Sequence, residues 1–231
     1  MLSCTRRATQ TGIGSTVFQD RIDAGRQLAA RLENVRGDDP VVLGLPRGGV
    51  PVAAEVAKRL GAPLDVIVVR KLGVPWQPEV AMGAIGEDGS RLLDHDLIDA
   101  LGITQVQLEA VERSELATLT SRVALFRAGH DRLDLVGKTA LIVDDGIATG
   151  ATSSVACAIA RDLGAARVIF AAPVGGPDAV RRVQGADEVV CLVQPSGFHA
   201  VGTYYRDFGQ TTDAEVVALL ASARARMGMD A

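Results

Sequence analysis

The chain has 231 residues, a net charge of −4, 48% apolar residues and only 3% aromatic ones. That length suits one large domain or two small ones, and the negative charge argues against a general attraction to nucleic acid. No run approaches the roughly 20 apolar residues of a membrane-crossing helix. The three cysteines, Cys4, Cys157 and Cys191, follow no metal-ligand spacing and suit a reducing compartment.

Residues 1–16 are polar and contain no apolar signal-like core, so they read as a disordered tail before a single domain at 17–231 of a cytoplasmic protein. Residues 18–32 carry a helical spacing of Ile22, Leu28, Ala29 and Leu32. Strands and helices then alternate. Residues 41–45 form an unbroken apolar strand, 50–60 a helix stopped by Gly61, and 64–69 a second buried strand. Residues 140–143 form a third strand, followed by a helix over 151–163 that ends at Gly164. A fourth strand at 167–173, a short helix at 178–184 and a fifth strand at 188–193 complete the series. Cys157 and Cys191 fall on apolar patterns and read as core. Apolar strands separated by helices predict an α/β fold with a parallel, Rossmann-like sheet covered on both faces.

Two regions break the rhythm. The insertion at 71–134 opens with Gly73, Pro75 and Pro78 and predicts a hairpin, 80–85 and 91–93, around Glu87-Asp88-Gly89. A long helix follows from Thr104, capped by Thr104 with Gln107. Its stripe of Leu108, Val111, Leu119, Val123 and Phe126 reads as a core or dimer contact. The segment 195–210 holds four of the chain's eight aromatics: Phe198, Tyr204, Tyr205 and Phe208. Thr212 and Glu215 then cap a last helix.

The most informative stretch is 140–152, Ala-Leu-Ile-Val-Asp-Asp-Gly-Ile-Ala-Thr-Gly-Ala-Thr. An apolar strand ends in two adjacent carboxylates, a loop of small and hydroxyl residues follows, and a helix begins. Backbone N–H groups at a helix start bind phosphate, because they lack intrahelical partners and carry the positive end of the dipole. The carboxylates Asp144 and Asp145 suit vicinal hydroxyls or a hard cation such as Mg²⁺. A phosphate beside a diol describes a ribose 5-phosphate. There is no G-x-x-x-x-G-K-[ST] and no early G-x-G-x-x-G, which excludes a nucleoside-triphosphate P-loop and speaks against a dinucleotide fold. Two further groups end strands: Arg47-Gly48-Gly49 after the first, and Arg70-Lys71 after the second. Ligands of open α/β sheets bind at that carboxyl edge.

At these residues the chain resembles the type I phosphoribosyltransferases, whose signature for 5-phosphoribosyl-1-pyrophosphate (PRPP) is an apolar strand, two acidic residues and a loop rich in Gly and Thr. The resemblance covers roughly 18–220 and implies that family's core, with a mobile catalytic loop in the insertion and a small hood at 195–210. It implies that Asp144 and Asp145 hold the ribose hydroxyls, and with them Mg²⁺, directly or through those hydroxyls. Gly146, Ile147, Ala148, Thr149, Gly150, Ala151 and Thr152 would bind the 5-phosphate. Arg47, Gly48, Gly49, Arg70 and Lys71 would bind pyrophosphate, with Arg47 and Lys71 catalytic beside the acidic pair. The reaction implied is transfer of phosphoribose to a nucleobase or similar small acceptor, with Mg²⁺, no nucleic acid, no membrane and a homodimer. Hypoxanthine-guanine enzymes have an acidic residue where this chain has Ala148, so a general base falls to Glu79, Glu87 or His199, and Trp76 is a candidate to shield the closed site. A non-catalytic sensor of PRPP or a nucleotide is the alternative on the same fold.

Overall fold

The computed structural model of the chain describes residues 5–9, 18–87, 89–127 and 130–229. The elements run β1 (Thr5–Thr9), α1 (Arg21–Arg31), β2 (Pro40–Gly44), α2 (Gly49–Leu60), β3 (Leu64–Val66), β4 (Val69–Val74), β5 (Gln77–Gly86) and β6 (Arg91–Leu93). They continue with α3 (His95–Ala100), α4 (Gln105–Arg127), β7 (Thr139–Val143), α5 (Ala151–Asp162), β8 (Arg167–Val174), α6 (Pro177–Arg182), β9 (Glu188–Val193) and α7 (Asp213–Met227). Five strands form a parallel sheet in the order β9-β8-β7-β2-β3, and β1 adds a sixth, parallel, beside β9.

Successive side chains of a strand point to opposite faces. Val42, Leu141, Val143 and Ile169 therefore join one core with Val50 and Val56 of α2 and Val216 and Leu220 of α7. Val41, Leu43, Ala140, Ile142 and Phe170 join the other with Val155 and Ile159 of α5. With both faces covered, the strands read as unbroken apolar runs. Among the described residues no helix is long and apolar enough to cross a membrane.

Four local expectations change. Thr5–Thr9 lies within the stretch expected as a disordered tail and is a strand instead, since the outer edge of β9 offers backbone partners to any extended segment. The rest of that stretch, with Cys4, lies outside the described residues. Helix α1 begins at Arg21, capped by Asp20, whose side chain accepts the Asp23 N–H, and Ile22 is exposed rather than buried. The apolar run at 64–69 is two elements: β3 ends at Val66, buried Ile67 and Val68 leave the sheet, and β4 begins. The insertion has the expected hairpin, as β5 and β6, and the expected long helix, as α4 with Thr104 and Gln107 bonded at its start; the difference is that its opening residues form a third antiparallel strand, β4, and a short helix, α3, precedes α4.

A buried ion cluster anchors the insertion. Asp65, 1% exposed, accepts the Val66 N–H, the Leu133 N–H at 3.0 Å and Arg127 Nε at 3.2 Å. Arg127 also donates to Glu87 Oε1 at 2.8 Å, with Arg132 3.7 Å from the same oxygen. Burial pushes the Glu87 carboxyl above its ordinary range, against the pull of Arg127, and its Oε2 has no hydrogen-bond partner among the described residues. The hairpin turn is thereby fastened to β3 and the end of α4.

Candidate functional site

Two loops meet at the carboxyl edge of the sheet because β2 and β7 are neighbours in register, Gly44 beside Val143. After β2, Leu45 donates its N–H to the Val143 carbonyl at 2.9 Å, and Gly49 donates to the Leu45 carbonyl at 2.9 Å. The Pro46–Arg47 peptide between them is cis. A Cβ on Gly48 would lie 2.0 Å from Asp145 Oδ2, and one on Gly49 would lie 2.6 Å from the Val143 carbonyl oxygen. Only glycine permits this approach at either position. The two motifs, about a hundred residues apart in sequence, are therefore in direct contact. Arg47 stands beside them, its guanidinium 3.7 Å from Asp213 at the start of α7.

Adjacent carboxylates in a partly buried place repel each other, and burial raises the cost of charging them. Burial, then the neighbouring Asp145 charge, pushes Asp144 well above the usual carboxylate range. Burial also raises Asp145, against the opposing pull of Arg21. Arg21, the first residue of α1, places Nε 2.8 Å from Asp145 Oδ2 and donates from NH1 to the Gly209 carbonyl at 2.6 Å. Its guanidinium stands 3.9 Å above the Phe208 ring. Tyr205 closes the arrangement by donating its hydroxyl to the Asp145 carbonyl at 2.6 Å.

Past the acidic pair, a Cβ on Gly146 would lie 2.5 Å from Val201, so the segment after β9 is seated directly on this loop. Ile147 is buried in the core and donates its N–H to the Val174 carbonyl. Its side chain serves the fold, while Ala148, Thr149, Ala151 and Thr152 are exposed. Helix α5 starts after Gly150 with no side-chain cap. Its first-turn N–H groups lack intrahelical partners, and that of Ala151 donates to Thr149 Oγ1 at 3.4 Å.

Arg47, Gly48, Gly49, Asp144, Asp145 and the 146–152 loop are thus brought to one edge. Arg70 and Lys71 lie within β4 of the hairpin sheet rather than at the end of β3, because the chain leaves the parallel sheet at Val66. Arg70 pairs with Glu115 of α4 at 2.7 Å, and exposed Lys71 donates to the Glu79 carbonyl at 3.0 Å. Of the candidate bases, Glu87 is committed to Arg127, while Glu79 and His199 are exposed. Trp76 is exposed at the turn between β4 and β5. Two residues with no earlier assignment, Arg21 and Asp213, enter the site, and Tyr205 of the aromatic segment joins them through its hydroxyl. Arg21 gives no local signal, since an arginine opening a helix usually faces solvent.

Among the described residues no cluster of three or more His, Cys, Asp or Glu side chains is set to hold a metal. The acidic pair fits a divalent cation as part of a donor set only. Mg²⁺ commonly takes one or two carboxylates together with water and substrate oxygens, and two crowded, partly buried carboxylates with one arginine between them favour added positive charge.

A family model described as "phosphoribosyl transferase domain" matches residues 17–207. Two Mycobacterium tuberculosis proteins, called "putative phosphoribosyl transferase" Rv0571c and MT0597, are each 59% identical over 205 residues. The match covers 88% of this chain and 46% of theirs, so the chain spans about half the length of those relatives. The crystal structure of TT1426 from Thermus thermophilus is 43% identical, with a TM-score of 0.78 over 89% of this chain and 98% of that one.

Proposed function

This chain belongs to the phosphoribosyl transferase family, and from that premise we propose that it moves the 5-phosphoribosyl group of PRPP to a nucleobase or similar small acceptor, releasing pyrophosphate. The observation that carries the proposal is the contact of Gly48 and Gly49 with Asp145 and Asp144. It sets an arginine loop suited to a leaving pyrophosphate against carboxylates suited to a ribose diol.

In this reading Asp144 and Asp145 orient the sugar through its hydroxyls, and the N–H groups at the start of α5 hold the 5-phosphate. Arg47 forks onto the pyrophosphate in exchange for Asp213. Arg70 and Lys71 join it by giving up Glu115 and Glu79. A nitrogen of the acceptor bonds to the anomeric carbon as the carbon–oxygen bond to pyrophosphate breaks, the electron pair leaving with pyrophosphate and the acceptor nitrogen's proton passing to water. The protein positions both reactants and neutralises developing charge without a covalent intermediate. Mg²⁺, held at Asp144 and Asp145 together with substrate oxygens, would add charge neutralisation at the leaving group. The partners are PRPP and a small molecule, with neither nucleic acid nor membrane; the working unit is a homodimer and its setting the cytoplasm.

One observation favours a second reading, a non-catalytic sensor of PRPP or a nucleotide. Phe198 and Tyr204 stack on each other, 5.7 Å between centroids, so these rings already have partners. Calorimetry of PRPP binding, with and without Mg²⁺, on the native chain and on Asp144→Asn/Asp145→Asn tests the site. A panel of acceptors followed by pyrophosphate release tests the reaction. Binding that needs the pair, with release on one acceptor, is the expected result. Binding with no release on any acceptor selects the sensor, and no PRPP binding by the folded native chain refutes the transferase reading.

A further inference from the structure

Arg21, Arg70 and Arg127 donate to carboxylates at 2.8, 2.7 and 2.8 Å. Arg47 does not. Its NH1 stands 3.7 Å from Asp213 Oδ1, and among the described residues its guanidinium donates no hydrogen bond. Asp213 Oδ1 is shielded from solvent and also has no hydrogen-bond partner among them. Each residue is seated by its own element. Arg47 lies in the turn closed by the Gly49 N–H on the Leu45 carbonyl. Asp213 opens α7, whose first turn is closed by Thr212 and Glu215 and whose Val216 and Leu220 share a core with Val50 and Val56 of α2. The pair is thus presented face to face beyond hydrogen-bond reach. The other charges around it are engaged: Arg21 of α1 by Asp145 and the Gly209 carbonyl, Glu215 by Thr212, and Asp144 Oδ1 by the Asp145 N–H.

A group set between these two must accept from the guanidinium and donate to the carboxylate. A phosphoryl group that carries one proton does both. A fully ionised one would meet Asp213 as a like charge, which favours taking up a proton. We propose that Arg47 and Asp213 form a seat for a monoprotonated phosphoryl group, with Arg47 donating to its oxygens and Asp213 Oδ1 accepting from its P–O–H. That this group is the terminal one of a pyrophosphate rests on the phosphoribosyl reading. The proton is drawn from water as the ligand binds and stays with the pyrophosphate when it leaves, lowering the charge that departs. The positive end of the α7 dipole supports the carboxylate while Arg47 turns to the ligand.

The probe is inorganic pyrophosphate without metal. Its binding is followed by calorimetry in buffers of different ionisation enthalpy, which counts the protons taken up, across the pH range in which free pyrophosphate loses its last proton. The native chain should take up protons on binding, more of them toward the upper end of that range. Asp213→Asn should take up roughly half as many or fewer. It should also bind pyrophosphate about tenfold more tightly at the upper end, where the like charge is removed, and change little at the lower end. Asp213→Glu should keep the native uptake. Asn has the shape of Asp and leaves the Thr212–Glu215 cap untouched, so Asp213→Asn keeps the fold. Equal uptake by the native chain and Asp213→Asn, as a bridging water would give, overturns the proposal. So does a folded native chain that binds no pyrophosphate. PRPP calorimetry on Arg47→Gln separates the two readings. Undiminished PRPP affinity there refutes the pyrophosphate reading of the loop, whereas weakened PRPP binding together with equal proton uptake refutes the seat alone.

Discussion

Replacing Gly48 with alanine isolates the contact between the two loops. The new methyl would lie 2.0 Å from Asp145 Oδ2 and 2.7 Å from its Cγ. Ordinary contact begins at 3.4 Å, so 3.4 less 2.0 leaves about 1.4 Å to be found. The obstacle is the end of a side chain, so the carboxylate turns aside and gives up its 2.8 Å bond to Arg21. Overpacking of this kind costs about 1–3 kcal/mol of stability, or roughly 2–12 °C in melting temperature for a domain of this size. The ligand loses more. A charge-assisted hydrogen bond is worth about 1.5–3 kcal/mol, so PRPP binding should weaken roughly 10- to 150-fold. At Gly49 the balance reverses. There the methyl meets the Val143 carbonyl oxygen at 2.6 Å and Asp144 Cα at 2.9 Å, backbone that cannot rotate away. Gly49→Ala should lose more stability than Gly48→Ala. Calorimetric titration with PRPP and scanning calorimetry on both variants measure the two effects. A Gly48→Ala protein with native PRPP affinity would refute the idea that the two loops form one site. Equal melting temperatures would refute the distinction between a yielding and a rigid obstacle.

Other outcomes follow from the same contacts. Arg127→Met strands the buried carboxylates of Asp65 and Glu87 and should cost about 3–5 kcal/mol in chemical denaturation. Glu87→Gln keeps an acceptor for Arg127 and should change stability by less than about 1 kcal/mol at neutral pH. The Glu87 carboxyl is raised above 4.5 in the folded state, so the native protein holds its proton more tightly than the unfolded chain. Its contribution therefore becomes more favourable as pH falls through the raised value toward 4.5, and melting curves should show Glu87→Gln losing ground to the native chain over that window; a constant difference would contradict this. Tyr205→Phe leaves the Asp145 carbonyl without its donor and should lower stability by about 1–3 kcal/mol with the fold retained. Burial pushes the Cys157 and Cys191 thiols up to about 12, so neither should react with a thiol reagent near pH 8 until the chain unfolds; rapid labelling of either in the native protein would show that its burial is wrong.

The parallel core was legible because burial on both faces leaves long apolar runs, and Asp144-Asp145 stood out as charges no buried strand would keep without a use. The run at 64–69 misled for the same reason. Ile67 and Val68 are as buried as the strand residues before them, so composition cannot mark where the chain leaves the sheet. That single break puts Arg70 and Lys71 inside β4 rather than at the end of β3. Arg21 and Asp213 were illegible for another reason. Arg21 gains its meaning from Asp145 and Gly209, 124 and 188 residues away, and Asp213 looks like any acid in the first turn of a helix.

The carboxylate of Asp65 has a consequence for how this chain can change over generations. The insertion departs just after Val66 and returns by Leu133, and both points hang from that one side chain. A detour whose entrance and exit coincide can be lengthened, shortened or exchanged at small entropic cost while the sheet keeps its register. The excursion beside the sheet edge can then be altered without rebuilding the frame that holds the edge.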